Sequence, residues 1–92
     1  MIHAASRLRI MTALAELQPG DSLSFPRLAK ALAMTAGNLS THSAKLEAAG
    51  YVQVVKTFEG RRPATYLSLT PGGRTAFAAY LANLRAIVGS AL

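Results

Sequence analysis

A chain of 92 residues with no cysteine makes one domain that has neither a disulfide framework nor a thiolate metal site. Ten lysines and arginines against four acidic residues leave a formal net charge of +6, a balance that suits a polyanionic partner. Arg7 and Arg9 fall inside an amphipathic pattern rather than ahead of an apolar run, and no stretch reaches the ~18 apolar residues of a membrane span, so a soluble, cytoplasmic protein without membrane attachment is expected.

A domain of this size hides only about 60 to 65% of the surface its unfolded chain exposes. Since 51% of the residues are nonetheless hydrophobic, the surplus predicts an association surface, most simply that of a homodimer.

Residues His3 to Leu17 place Leu8, Met11, Leu14 and Leu17 at helical spacing, with Ile10 and Ala13 beside them, and Pro19-Gly20 ends that first helix. Asp21 to Ser24 is a turn or a very short strand. Ser24 then caps a second helix that tolerates Pro26 in its first turn and buries Phe25, Leu28, Ala29 and Leu32.

Thr35 to Val55 is the stretch around which the rest is organised. Thr35 is a good N-cap and Gly50 sits where a left-handed residue ends a helix, which predicts a third helix over about Ala36 to Ala49. With Leu39 at 0° and roughly 100° per residue, Leu46, Ser43, His42 and Ala49 lie within about 80° of it, while Gly37, Thr41, Ala44 and Ala48 gather on the far side. That outer face has no bulky apolar group, and Asn38 and Lys45 flank it. It fits a major groove about 12 Å wide, and it fits the solvated face of an ordinary amphipathic helix equally well.

After Gly50 the period changes to two. Tyr51 to Phe58 is rich in β-branched and aromatic residues, and Ala64 to Leu69 alternates Thr65, Leu67 and Leu69 against Tyr66 and Ser68. Between them Glu59 to Pro63 reads as a loop, with Gly60 free to take positive φ and Pro63 unable to donate to a central ladder. The result is a β-hairpin with an arginine-bearing tip. Thr70-Pro71 repeats the cap pattern, and a long helix follows from Pro71 to about Val88. Its residues Phe77, Tyr80, Leu81, Leu84, Ile87 and Val88 form one apolar stripe. From Arg27 to Arg62 six basic residues face two acidic ones, so much of the charge excess surrounds the third helix and hairpin.

Helix, helix, helix, hairpin, helix is the order of a winged helix: mainly α with a small β-hairpin, one domain over residues 1–92. Gly37-Asn38-Leu39-Ser40 followed by His42, Leu46-Glu47 with Ala49-Gly50-Tyr51-Val52, the run Phe58 to Pro63, and Leu69-Thr70 ahead of Pro71-Gly72-Gly73 together resemble the small stand-alone winged-helix transcriptional regulators of the MarR and ArsR kind. The resemblance covers about Arg7 to Arg85. It implies a dimeric repressor or activator whose third helix reads the major groove and whose wing touches the flanking backbone or minor groove. One residue departs from the pattern: such proteins usually carry leucine after the histidine, where this chain has Ser43 on the core-facing side.

The candidate reading residues are Gly37, Asn38, Ser40, Thr41 and Lys45. Asn38 can pair with adenine in a bidentate manner or support the first turn of its helix. Ser40 and Thr41 can bond phosphate or base edges, Ser40 fitting plain helix surface as well, and Lys45 is most simply a phosphate contact. On the wing, Lys56, Arg61 and Arg62 are expected to reach phosphates or a minor groove, against the alternative of a merely solubilising tip. His42 invites a metal or pH-sensing role, but with His3 as the other imidazole and four scattered carboxylates no ligand set assembles, so a structural role is expected.

No catalytic constellation is present, and Ser40 and His42 point about 200° apart on one helix, so no enzyme, metal or cofactor is expected. The expected partner is double-stranded DNA carrying an inverted-repeat operator, bound by a dimer formed by the helix over 71–90 through its stripe from Phe77 to Val88, with help from Ile10 and Leu14 of the first helix, against the alternative that the stripe folds back on its own domain. With no separate sensor domain expected, any small-molecule effector has to bind between the helices or at the dimer seam; the alternative is regulation by concentration alone. A second reading, from another class, is a winged helix that uses its third helix and wing to grip an acidic protein partner without binding DNA.

Overall fold

The computed structural model describes residues 5–91, which form four helices and three strands in the expected order. Helix α1 spans Ala5–Ala15, strand β1 Leu23–Ser24, helix α2 Phe25–Leu32, helix α3 Ala36–Ala48, strands β2 Val52–Glu59 and β3 Arg62–Leu69, and helix α4 Pro71–Ala91. The expected start of the first helix at His3 lies outside the described residues.

The termini of these elements follow from their caps. Ser24 accepts from the N–H of Arg27 at 3.4 Å, and Thr35 accepts from the N–H of Asn38 at 3.1 Å. Helix α3 closes as a Schellman motif: Gly50 takes φ +81°, its N–H bonds the Glu47 carbonyl at 2.9 Å, and the Tyr51 N–H bonds the Leu46 carbonyl at 3.0 Å. Helix α2 ends the same way without a glycine. Ala33 is held at φ +52° while its N–H and that of Met34 bond the carbonyls of Lys30 and Ala29.

The sheet has the order β1-β3-β2 and is antiparallel throughout. The hairpin is tighter than the sequence suggests. The expected loop from Glu59 to Pro63 is a two-residue turn, because Glu59 pairs with Arg62 and Phe58 with Pro63. Gly60 at φ +64°, with no positive φ at Arg61, is the type II′ pattern that matches the strand twist. The pair closing such a turn exchanges its ladder bonds, so the next pair is a non-bonded one and the missing N–H of Pro63 leaves no gap. On its other side β3 meets β1 only at Leu67 and Tyr66, so that flank of Pro63 is unpaired as well.

One core joins all the long elements. Ile10, Met11 and Leu14 of α1, Leu28 of α2, Leu39 and Leu46 of α3, Val52 and Leu67 of the hairpin and Phe77 of α4 are buried together. Helix α4 begins on this core and then leaves it: Leu84, Ile87 and Val88 are exposed, and the molecule measures 55 × 25 × 21 Å. Two arginines brace the frame. Arg9 of α1 donates to the Leu32 carbonyl at the end of α2, and Arg74 of α4 donates to the Leu17 carbonyl at 3.0 Å.

The start of α4 is pressed onto the end of α3. A Cβ at Gly73 would lie 2.0 Å from the Tyr51 carbonyl oxygen, and the neighbour is backbone that cannot swing aside. Gly73→Ala should therefore cost about 3 kcal/mol or more in urea unfolding. Ala33→Gly should gain about 0.5 kcal/mol, the relief of a left-handed alanine less the added freedom of the unfolded chain. A tolerated alanine at 73 would show that the two backbones do not pack as described.

Candidate nucleic-acid interface

Helix α3 presents Gly37, Asn38, Ser40, Thr41, Ala44, Lys45 and Ala48 to solvent, while Leu39, Ser43 and Leu46 face inward. All five candidate reading residues of this helix thus lie on its open side. The Asn38 backbone N–H is taken by Thr35, so the cap itself supports the first turn without calling on the Asn38 amide. Thr41 donates its hydroxyl hydrogen to the Gly37 carbonyl at 3.0 Å, which leaves its oxygen as an acceptor. The first turn of α3 contains no acidic residue, so its exposed N–H groups and positive dipole end remain available to an anion.

Gly37 and Gly73 differ instructively. Where Gly73 is required by backbone contact, a Cβ at Gly37 would meet nothing within 4 Å, and its φ is not positive. The fold gives no reason for glycine there, although glycine in a helix costs up to about 1 kcal/mol relative to alanine. What its absent side chain leaves is room for something outside the chain to approach the α3 backbone closely.

The hairpin stands beside α3. Lys56 and Thr65 line a groove of about 280 Å³ with Ser40, Ser43 and Glu47, which places Lys56 on the face of the wing turned toward the reading helix. Arg61 is exposed at the turn. Arg62 pairs with Glu59, one residue out of phase with Lys56, so its Cβ points to the opposite face. There it borders a second groove, of about 650 Å³, that reaches Arg27 at the start of α2. The three wing cations are therefore spread around the tip rather than aligned on one side.

Ser43 is 4% exposed and its hydroxyl has no hydrogen-bond partner. This is the departure noted in the sequence, now seen as a buried polar atom under α3. His42 is half-buried with Nδ1 unpartnered, on the inward side of α3. Among the described residues no group of three His, Cys, Asp or Glu gathers at one place, and no helix is long and apolar enough to cross a membrane.

A family model described as a winged helix DNA-binding domain matches residues 6–88. The chain belongs to that family. The winged helix is similar to the transcriptional regulator homologue protein from Pyrococcus horikoshii OT3, at 32% identity over 92% of this chain and 81% of that one, with a TM-score of 0.82. It shares its fold with FabT of Streptococcus pneumoniae, whose structure is of a complex with DNA, at 22% identity over 96% of this chain and 59% of that one, TM-score 0.70. A MarR family transcriptional regulator from Silicibacter pomeroyi shares it too, at 24% identity over 87% of this chain and 53% of that one, TM-score 0.62. No protein of curated function matches the chain significantly.

Removing the stranded Ser43 hydroxyl should help the fold. Ser43→Ala should raise the unfolding free energy by about 1 kcal/mol, from relief of an unsatisfied buried group and from better helix propensity. A loss of similar size in chemical denaturation would mean that the hydroxyl has a partner in solution.

Proposed function

We propose that this winged helix is a homodimeric, cytoplasmic transcriptional regulator that acts by binding double-stranded DNA at an inverted repeat and not by catalysis. Helix α3 enters the major groove. Asn38 and Thr41 face base edges, Thr41 as an acceptor for the amino group of adenine or cytosine, and Gly37, Ser40 and Lys45 meet the backbone. Lys56, Arg61 and Arg62 bring the wing to the flanking phosphates.

The observation that carries this reading is Gly37: an exposed helix turn kept bare, in a first turn without an acidic residue, where the fold itself has no use for a glycine. Backbone amides that a phosphate can touch only if no side chain intervenes account for it. The apolar overhang of α4 supports the dimer. Of the residues expected in the seam, Ile10, Leu14 and Phe77 are buried in the domain's own core and Leu81 packs against it, so they are not free for a partner; Tyr80 is half-buried, and Leu84, Ile87 and Val88 continue the stripe into solvent, with Ile87 67% exposed. Pairing that segment with its two-fold mate sets two reading helices about 34 Å apart, one duplex turn.

Gly37→Ala separates binding from folding. It should stabilise the domain by about 0.5 to 1 kcal/mol in thermal unfolding and weaken binding to duplexes selected from a random pool by about tenfold or more. Unchanged affinity would remove the close approach at α3 from the model. Leu84→Asp should turn a dimer into a monomer in sedimentation and sharply weaken operator binding while leaving α3 folded, with the helical circular dichroism signal retained. If the wild-type protein sediments as a monomer at tens of micromolar, the dimer and its inverted repeat both go.

A further inference from the structure

Phe58 is the most exposed large apolar side chain among the described residues, at 69%. It is not part of the core and does not pack against it. Its position is set by the register: Val52, Val54, Lys56 and Phe58 alternate onto one face of β2, and Lys56 on that face already borders α3. Two residues further along, about 7 Å at a strand's rise, Phe58 stands beyond the groove on the same side as the reading helix. Pro63 lies directly opposite it across the hairpin, a rigid ring behind the aromatic one. Lys56 shares that face, Arg61 stands in the turn beyond it, and Arg62 points from the opposite face of the tip. An aromatic side chain held out on the helix-facing side of a cationic tip is placed for a polyanion that also offers apolar surface, which in DNA means deoxyribose and the faces of bases.

We propose that Phe58 is the wing's apolar reader: with α3 in the major groove, its ring enters the flanking minor groove, packs on the sugars and wedges at a base step, braced by Pro63. This rests on the DNA-reading function above and deepens it. The phosphates on either side are met by the neighbouring cations. Because a ring contact neutralises no phosphate, it displaces no counterions, and its share of the affinity does not vary with salt. Because wedging requires a step to open, it favours pyrimidine–purine steps at the position under the wing, where stacking yields most easily.

The test is fluorescence anisotropy of the intact protein on duplexes that the wild type selects from a random pool, over a range of salt concentrations. Phe58→Ala should bind about tenfold more weakly at every salt concentration with an unchanged slope of log K against log salt. Phe58→Leu, which still wedges, should stay within about threefold of wild type. Arg61→Ala should instead reduce the slope, by up to about 0.9. A 2-aminopurine in the flanking step should brighten on binding wild type and stay quenched with Phe58→Ala. Melting temperatures should agree among all four proteins. Unchanged affinity of Phe58→Ala, a loss that fades or grows with salt, or a loss matched by a drop in melting temperature in both Phe58 variants overturns the proposal while leaving DNA binding intact. Failure of the wild-type protein to bind any duplex at low salt overturns the DNA-reading function and this inference with it.

Discussion

The Thr70 hydroxyl sits where the reading helix, the hairpin and α4 converge, and the placement of all three depends on it. It donates to the Gly50 carbonyl at 2.6 Å and accepts from the Gly73 N–H at 2.9 Å, while the Thr70 backbone N–H bonds the Tyr51 carbonyl at 3.0 Å. One residue thus caps α4 and ties its first turn to the end of α3. The two glycines it touches have different duties. Gly50 turns the chain through positive φ so that β2 can start at once, and Gly73 removes a Cβ so that α4 can lie against the Tyr51 backbone. Backbone groups in direct contact leave little room for the reading helix to swing relative to α4, which is the property a surface that must match DNA needs.

Much of this was legible in the sequence because its signals are local. Thr35 and Gly50 bracket α3, Ser24 and Pro26 open α2, and Thr70-Pro71 opens α4, each through a backbone rule that acts within one turn of helix. The outer face of α3 followed from angular periodicity and came out as expected. Ser43 likewise was placed on the core side, where the structure finds its hydroxyl buried.

What could not be read depends on pairing partners distant in sequence. Pro63 reads as part of a loop, and only the register, with Phe58 opposite it in a non-bonded pair, shows that a proline is harmless inside the strand. The same register separates Lys56 from Arg62 by face and turns Phe58 toward the reading helix, none of which a count of charges near a glycine can reveal. Gly73 passed as one of two glycines after a proline, although a third-position glycine in a helix with a good cap carries an unusual cost and could have raised the question. Arg9 and Arg74 counted toward a basic surface but are committed to the Leu32 and Leu17 carbonyls, so they brace the scaffold before they can serve any partner. Charge totals overstate what is free to meet DNA whenever arginine finds a helix C-terminus within reach.

The join at Thr70 also determines what dimerisation does. Helix α4 is a rod of 21 residues, about 32 Å long, fixed at one end to the reading helix and bare of its own core at the other. In the proposed dimer the apolar stripe sets the angle of that rod, and the rod carries the angle back to Gly50 without a hinge between. A tilt of about 10° at the far end moves the near end by about 5 Å, more than the 3.4 Å rise of one base pair. In that proposed dimer the packing of Leu84, Ile87 and Val88 governs the half-site spacing that the two α3 helices span. In the proposed dimer a changed crossing angle at that seam, with no refolding, is enough to take both helices off their sites.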